Sequence, residues 1–335
     1  ASSSWVDVVA ASAECLPQIH EGRPPASLLL LETSGVIVSA SSAGITRSTD
    51  DGKTWSPATL PEDVSGARAI AQAPDGVLYG ATRTGVVLRS RDEGASWERV
   101  GIVGLDVHAM AVDERGRLFL AGALMRVPGV PRESQFAVMR SDDEGKNFVP
   151  AKFDFHADLT IGYSVFPASD RSLYASIWVH AEKTKTNIFR TTDGETLTHT
   201  SKIPGNWWDD RAMAFLEDDG SIYAGLATNE SSDLVFRSAD RGATWTSTGK
   251  LAPAREVYAM AKLRDGTLVA ATSPFGEVYR LRSAGASGDC WPVRAMGADA
   301  GSVDATAPRN GGTSGCGCGA LRIARHDSPP SMALF

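Results

Sequence analysis

The sequence predicts an all-β fold, a six-bladed β-propeller whose blades are four-stranded antiparallel sheets. Three observations predict it: a turn-like segment that recurs six times, short apolar strands that recur with it, and the lack of any segment with helical periodicity. Repeated units of this kind stack on their neighbours and bury a continuous core. We expect residues 1–295 to form one domain and residues 296–335 to form a tail rich in Gly, Ser and Pro, without strands.

Each recurring segment, which we call a box, follows an arginine and in its clearest copies reads Ser-x-Asp-x-Gly-x-x-Trp. The boxes begin at Ser48, Ser90, Ser141 and Ser238, with decayed copies at Thr191 and Ser283. The aspartate can accept hydrogen bonds from amides of its own turn, and the glycine can adopt a positive φ. Because the same chemistry recurs in blade after blade, we expect a structural role for the box aspartates. They are Asp50, Asp92, Asp143, Asp193 and Asp240.

Apolar strand segments lie between the boxes in the same order in each unit. The second strand of the unit is the clearest, and it recurs at Val77-Leu78-Tyr79, Leu118-Phe119-Leu120, Leu173-Tyr174-Ala175, Ile222-Tyr223-Ala224 and Leu268-Val269-Ala270. The amino-terminal segment Ser4-Trp5-Val6-Asp7-Val8-Val9 resembles a fourth strand that lacks its first three. We therefore expect it to close the ring by joining the last blade. A seventh blade would need three more strands after Trp291, which the tail does not supply.

Composition and charge exclude several classes of partner. The chain has 335 residues, of which 42% are hydrophobic, and a net charge of −7 with scattered Lys and Arg. Nucleic acid is not an expected partner, because such proteins gather positive charge in a patch or stripe. No apolar run approaches the roughly 20 residues that cross a bilayer, so the chain as given is not expected to insert into a membrane. Nothing in the sequence indicates a cofactor or a metal site, and we expect a monomer.

The four cysteines fall into two groups. Cys15 and Cys290 lie near the two ends of the predicted domain, which a closed ring brings together. A disulfide between them is one interpretation, and two unpaired thiols is the other. Cys316 and Cys318 lie in the tail and are not expected to belong to the core.

The long loops are predicted to lie on one face of the propeller. The turns from first to second strand and from third to fourth strand are short, and they share one face. The two-to-three loops and the blade connections share the other face, and they carry the long insertions at 121–134, 152–159, 180–186, 203–210 and 228–233. Variable loops on a rigid scaffold are the usual place for binding.

The first strand of each blade lines the central channel and begins at this loop-rich face. Aligning the blades by their tight turns brings six residues to similar places at the channel mouth: Ser27, Arg68, His108, Tyr163, Arg211 and Tyr258. Arginines such as Arg68 and Arg211 can hold a carboxylate or sulfate by paired hydrogen bonds. His108, Tyr163 and Tyr258 can exchange protons or bond sugar hydroxyls. The alternative is that these side chains merely line a hydrated channel.

A second candidate group lies in the blade connection at 203–210. Trp207 and Trp208, followed by Asp209, could stack on a sugar ring and accept hydrogen bonds from its hydroxyls. The two tryptophans could equally pack between blades.

The boxes resemble the Asp-box, or bacterial neuraminidase, repeat over about Ala26 to Trp291. The resemblance implies a β-propeller but no single activity, because the repeat occurs in sialidases, other glycosidases, lectin-like propellers, sortilin-type receptors and photosystem assembly factors. Sialidases bind the substrate carboxylate through an Arg-Ile-Pro segment and an arginine triad, and Arg23-Pro24-Pro25 stands in the corresponding region here. The resemblance would make Arg23 and Arg211 carboxylate ligands and Tyr258 a candidate nucleophile. No Glu of this chain matches the family's partner of that tyrosine.

The tail segment Gly315-Cys316-Gly317-Cys318-Gly319 resembles the opening of the carboxy-terminal sorting tails of myxobacterial surface proteins. The resemblance implies an exported protein, extracellular or at the cell surface. A flexible linker is the alternative interpretation. The chain opens at Ala1-Ser2-Ser3-Ser4 without an initiator Met, so an upstream signal peptide is also expected.

These observations favour an exported propeller that recognises an extracellular glycan or glycoconjugate through its loop-rich face and channel mouth. The first alternative is an enzyme, either a sialidase-like glycosidase or a polysaccharide lyase in which His108 and Tyr163 transfer protons. The second alternative is a propeller that docks a protein partner, like the assembly factors. The sequence leaves the choice between binding and catalysis open.

Overall fold

The computed structural model describes residues 4–8, 27–31, 33–50, 54–124, 138–154, 160–179, 186–204, 211–227, 233–248, 256–262, 268–273 and 278–282. Within these ranges every element of regular secondary structure is a β-strand. Several predicted features lie outside the described residues. They are Cys15, Arg23, Trp207, Trp208, Asp209, the box at Ser283, Cys290 and the tail.

The strands follow one another in groups that each end after a box. The first strand, β1 (Ser4–Val8), stands apart from the groups in sequence. The next twelve are β2 (Ser27–Leu30), β3 (Ile37–Ser41), β4 (Gly44–Ser48), β5 (Ser56–Pro57), β6 (Ala69–Gln72), β7 (Leu78–Ala81), β8 (Val86–Ser90), β9 (Glu98–Ile102), β10 (Leu105–Val112), β11 (Leu118–Leu124), β12 (Val138–Ser141) and β13 (Val149–Pro150). The rest are β14 (Lys152–Phe153), β15 (Thr160–Pro167), β16 (Leu173–Val179), β17 (Thr186–Thr191), β18 (Thr196–Ile203), β19 (Arg211–Asp218), β20 (Ser221–Ala227), β21 (Val235–Ser238), β22 (Thr246–Ser247), β23 (Glu256–Lys262), β24 (Leu268–Ser273) and β25 (Val278–Arg282).

The described strands form five sheets, and neighbouring strands are antiparallel except at β14. Three sheets have four strands each (β2–β5, β6–β9 and β10–β13), one has five (β14–β18), and one has eight (β19–β25 with β1). The predicted all-β, propeller-like arrangement of small antiparallel sheets is confirmed. The predicted six separate blades are not observed as such. The reason is one residue pair, Ala227 with Glu256, which joins the last two groups of strands into the eight-stranded sheet.

The amino-terminal strand pairs with the last described strand. β1 runs antiparallel to β25, in a register that places Ser4 opposite Arg282 and Val8 opposite Val278. The fourth place beside β23, β24 and β25 is therefore filled by a segment from the opposite end of the chain. This is the pairing that the sequence predicts for the segment.

Apolar side chains fill the space between successive sheets. Leu78 and Leu88 of the second sheet pack with Ile45 of the first, while Val87 of the second packs with Leu105 and Leu118 of the third. All of these side chains are essentially inaccessible to solvent. Each buried aliphatic side chain of this size contributes about 1.5–3 kcal/mol relative to its exposed state. The first strands of successive sheets lie side by side from β2 through β6, β10, β15 and β19 to β23.

The boxes fold through the same hydrogen bonds in each fully described copy. In the third box the Ser141 hydroxyl donates to Asp143 (2.8 Å) and accepts from the Gly145 N–H (2.9 Å). Asp143 also accepts from the backbone and side-chain amides of Asn147, at 2.9 and 2.7 Å. Gly145 has a φ of 84°, which glycine adopts without steric cost. The aspartates with equivalent bonds in their own turns are Asp50, Asp92, Asp193 and Asp240.

The segment after a fourth strand pairs with the next sheet in two places. Thr59, which follows β5, forms a parallel bridge with Ser96 at the end of the second box. β14, which follows β13, pairs in parallel with β18, so that Lys152 lies opposite Thr196 and Phe153 opposite Leu197. We call these two parallel pairings straps. They connect the outer edges of neighbouring sheets by backbone hydrogen bonds.

Candidate ligand-binding site

Four of the first strands contain a register shift at one residue near their beginning. The shifts fall between Val107 and Ala109, between Gly162 and Ser164, between Ala212 and Ala214, and between Val257 and Ala259. A residue in such a bulge has no partner of its own in the ladder, and the bend re-aims its side chain. The bulged residues are His108, Tyr163, Met213 and Tyr258.

Arg68 occupies the matching place in the second sheet. Its N–H donates to the carbonyl of Ala81 (2.8 Å), which is the residue opposite Ala69 in the ladder. Arg68 therefore precedes Ala69 as His108 precedes Ala109. The predicted alignment of Arg68, His108, Tyr163 and Tyr258 agrees with the observed register.

Two members of the predicted set do not share this register. Arg211 lies opposite Ala227 and stands two residues before the bulge, whose place is taken by Met213. Ser27 lies opposite Ala40 and so matches Ala69, one residue after the bulge position. The prediction counts residues back from the tight turns. Such a count gives the wrong position where the turns differ in length or where a strand contains a bulge. Arg211 corresponds instead to Asp106 in β10.

His108 and Tyr163, which come from neighbouring sheets, are in contact. Their rings are parallel to within 5°, with centroids 5.8 Å apart. The Nδ1 atom of His108 lies 2.9 Å from the carbonyl oxygen of Gly162. Since a carbonyl oxygen can only accept, Nδ1 carries the proton, and protonation of Nε2 decides the charge of the ring. The side chains of Met213 and Tyr258 lie outside the part of the chain for which side chains are described.

Arg68 brings a positive charge to the position beside β6 that matches the position of His108 in β10. Its side chain is half-buried, and within the described residues its guanidinium has no hydrogen bond or ion pair. An arginine in this condition can hold a carboxylate through two parallel N–H···O bonds without first giving up an internal partner. β6 and β10 are in contact, so Arg68 and His108 lie on adjacent strands.

An ion pair lies two residues before His108. The Nε atom of Arg83, in the turn between β7 and β8, is 3.3 Å from both carboxylate oxygens of Asp106. Arg83 is largely exposed and Asp106 half-buried. The pair thus brings the loop between the second and third strands of one sheet beside the first strand of the next.

The side chains described in this region are able to stack and to form hydrogen bonds. Two flat rings and an available guanidinium can bind a ring-shaped polar ligand that carries an acidic group. No group of three or more His, Cys, Asp or Glu within the described residues could hold a metal ion. Nor does the described part of the chain contain a helix that could cross a membrane.

Sequence reasoning missed two features. Met213 was overlooked because its place depends on strand register, although counting from the box serine through the second strand would have found it. The second feature is a pocket between the tight turns of β10–β11 and β15–β16. Its signal in the sequence is Arg171, which stands where the other tight turns carry glycine.

Comparison with known proteins gives the fold. No family model matches the chain, and no curated protein sequence matches it significantly. YCF48 from Cyanidioschyzon merolae is 13% identical, with a TM-score of 0.50 over 73% of this chain and 79% of that one. A gluconolactonase from Xanthomonas campestris is 14% identical, with a TM-score of 0.53 over 84% of this chain and 97% of that one.

A third similar structure is the extracellular domain of a putative one component system from B. thetaiotaomicron. It is 10% identical with a TM-score of 0.51, over 83% of this chain. The chain spans only 40% of the length of that domain. At such identities the likenesses show the fold alone. YCF48, the gluconolactonase and the B. thetaiotaomicron extracellular domain are β-propeller proteins.

Proposed function

We propose that the protein is an exported β-propeller that recognises an extracellular glycan or glycoconjugate carrying an acidic group, through the channel mouth. The observation that carries the proposal is the His108–Tyr163 stack, which lies beside the strand of Arg68, a half-buried arginine that has no partner among the described residues. Sugar rings stack on flat side chains and offer hydroxyls to ring nitrogens and phenols, and their carboxylates fit a guanidinium.

The proposal includes a closed ring of six blades. The eight-stranded sheet is counted as two blades, β19–β22 and β23–β25 with β1, that share a single bridging pair. The amino-terminal strand then supplies the fourth strand of the last blade. On this count the box turns belong to a propeller related to Asp-box proteins, in which the boxes shape the scaffold and the opposite face binds.

Export rests on separate support. Two of the similar structures are described as extracellular domains, one of a putative one component system and one of a putative hybrid two component system. Fractionation of cells that express the full gene tests this part of the proposal, with an extracellular or surface location expected. A cytoplasmic location would contradict export and leave the binding site to be tested on its own.

The binding proposal is tested by screening the purified chain on an array of neutral and acidic glycans. Arg68→Ala and His108→Ala are measured in parallel. Arg99→Ala is the matched control, because this arginine is exposed on β9 and pairs only with Asp63 within the described residues. We expect saturable binding of acidic glycans that Arg68→Ala weakens about tenfold or more, which corresponds to about 1.4 kcal/mol.

The control should bind as the parent protein does. An array with no glycan bound would contradict the proposal and favour a protein partner. Binding that Arg68→Ala and His108→Ala leave unchanged would move the site away from this part of the channel.

The second candidate function is catalysis at the same place, and one observation favours it. The Gly162 carbonyl fixes the proton of His108 on Nδ1, which leaves the other ring nitrogen as the one that can act as a general base or acid. Tyr163, stacked on that ring, would be the second proton-transfer group. Assaying each bound glycan for new reducing ends or unsaturated products separates the two functions. Product that requires His108 would make the protein an enzyme, and binding without product would make it a lectin.

A further inference from the structure

A pocket lies at the other end of β10 and β15 from His108 and Tyr163. It has a volume of about 260 Å³ and lies between two tight turns, residues 113–117 and 168–172, with Thr192 of the fourth box beside them. This volume is just below the range typical of drug-sized ligands, so the pocket suits a smaller molecule. The pocket lies on the face of the molecule that carries the tight turns and the boxes, and the proposed function does not use this face.

Arg117 forms a fixed wall of this pocket. Its guanidinium is bound to Asp113 at 2.7 Å and donates to the carbonyl of Asp193 at 2.6 Å. Both ionic side chains are about 85% buried. Gly194 packs so closely that an added Cβ would lie 2.3 Å from a terminal nitrogen of Arg117. The charges of Arg117 and Asp113 therefore offset each other, and this wall has little freedom to move.

Arg171 and Arg115 supply donors that no described residue uses. The Nε atom of Arg171 is 2.9 Å from Glu114, and both side chains are more than half exposed, so this ion pair is weak. Within the described residues the terminal nitrogens of Arg171 and the whole guanidinium of Arg115 have no hydrogen-bond partner. Three arginines against two acids leave the lining with an excess of one positive charge.

Arg171 is also held in an unfavourable backbone conformation. Its φ is 66°, in the left-handed region that glycine adopts freely. The tight turns of four other units carry a glycine with positive φ, at Gly35, Gly76, Gly116 and Gly220. A non-glycine residue at such a place costs backbone energy. The side chain that this turn retains is the one that lines the pocket.

We propose that this pocket is a second binding site, which takes a small oxyanion, a molecule carrying phosphate or carboxylate groups. Arg115 and the terminal nitrogens of Arg171 bind the oxyanion by charge-assisted hydrogen bonds, and the Thr192 hydroxyl donates a further bond. The oxyanion competes with Glu114 for Arg171, which the exposure of that pair allows. The site is independent of the channel mouth and of the function proposed for it.

The test uses the full chain, titrated with inorganic phosphate in one series and with citrate in another. Sodium chloride keeps the ionic strength constant in both. Calorimetry and the thermal midpoint report binding. We expect saturable binding of at least one of the two anions, and a midpoint that rises with its concentration. Which of the two binds tells whether the natural ligand carries phosphate or carboxylate.

Arg171→Gly is the decisive variant, because it removes the side chain and relieves the backbone at once. We expect it to bind the anion about tenfold or more weakly while its unliganded thermal midpoint stays the same or rises. Arg99→Gln, an exposed arginine on another sheet, is the matched control and should bind as the parent does. Heats that never saturate, or equal affinity of Arg171→Gly and the parent protein, would overturn the proposal.

Discussion

At the scale of single residues, a buried hydroxyl joins the two halves of each fully described box. The Ser141 side chain is 1% exposed, and its oxygen both donates to Asp143 and accepts from Gly145. Ser90 and Ser238 do the same in their boxes. Without the hydroxyl, the amide of the glycine would be buried and unbonded, which is costly in protein interiors.

We predict that Ser141→Ala lowers the free energy of unfolding by about 1–3 kcal/mol, the cost of an unsatisfied buried amide. Urea unfolding followed by tryptophan fluorescence measures the change. Ser56→Ala is the control, since Ser56 is exposed on β5 and makes no side-chain hydrogen bond within the described residues. Equal losses in the two variants would mean that the box hydroxyl has no special role.

The box aspartates predict how stability depends on pH. Hydrogen bonds from the Asn147 backbone and side chain lower the pKa of Asp143 to about 2, and bonds led by the Glu195 amide lower the pKa of Asp193 to about 2. Their ordinary pKa is 3.8. The unfolded state therefore binds protons more readily than the folded state. The contribution of these groups is complete above about pH 4 and is lost as the pH falls toward 2.

We expect the unfolding free energy of the parent protein to fall steeply between pH 4 and pH 2. In Asp143→Asn the unfolding free energy should fall less, because one of the carboxyl groups with a lowered pKa is absent. Glu62→Gln, which alters an exposed carboxyl group, should follow the parent curve. Urea melts at half-unit pH steps give the three curves. Parallel curves for Asp143→Asn and the parent would show that this aspartate is not linked to acid unfolding.

At the scale of strands and turns, the close approach of one sheet to the next box determines which residues are tolerated. Gly101 in β9 lies so near the third box that an added Cβ would be 2.0 Å from the carbonyl oxygen of Gly145. Beside it, Arg89 forms ion pairs with Glu98 of its own sheet and Glu144 of the same box. Backbone and charge contacts thus hold β9 against the neighbouring turn.

We predict that Gly101→Ala destabilises the protein by about 1–3 kcal/mol, the usual cost of overpacking. The clash is with backbone, which cannot move aside as a flexible side chain can. Gly104→Ala is the matched control, because a Cβ there has nothing within 4 Å. Thermal unfolding of both variants measures the difference. A Gly101→Ala protein as stable as Gly104→Ala would show that the two sheets separate easily at this point.

Local chemistry explains what could be predicted from the sequence. The box turns were predictable because Ser141, Asp143 and Gly145 bond to one another within a few residues. The position of Arg211 was not, because it depends on how β19 pairs with β20 across a bulge. The contact between His108 and Tyr163 joins residues of different sheets, and no local pattern indicates their orientation. The straps were also missed, since parallel pairing between neighbouring sheets has no periodic signature.

At the scale of the whole molecule, the pairing of β1 with β25 links the two ends of the described chain. A strand that is close to β25 in space and distant in sequence constrains every sheet between them. Its loss would leave the edge of β25 unpaired, and unfolding could begin there. The contribution of this pairing is therefore larger than that of an ordinary edge strand of five residues.

We predict that deletion of residues 1–8 lowers the thermal midpoint, by on the order of 5 °C or more, and removes the protection of β25 amides against hydrogen exchange. Deletion of residues 296–335, which are predicted to carry no strand, is the control and should leave both quantities unchanged. Calorimetry and exchange measured by mass spectrometry give the two readouts. Protection of β25 that survives loss of the first eight residues would show that another segment covers this edge.

The straps bear on how a chain of this kind can be cut and recombined. Thr59 and β14 each hydrogen-bond to the sheet that follows them, so a cut made directly after a fourth strand keeps each strap in the same segment as the sheet with which it pairs. A cut in the tight turn between first and second strands would instead separate Thr59 from Ser96, and β14 from β18. Grafting or duplication should therefore take the segment from the end of one fourth strand to the end of the next, so that the transferred segment begins with its strap.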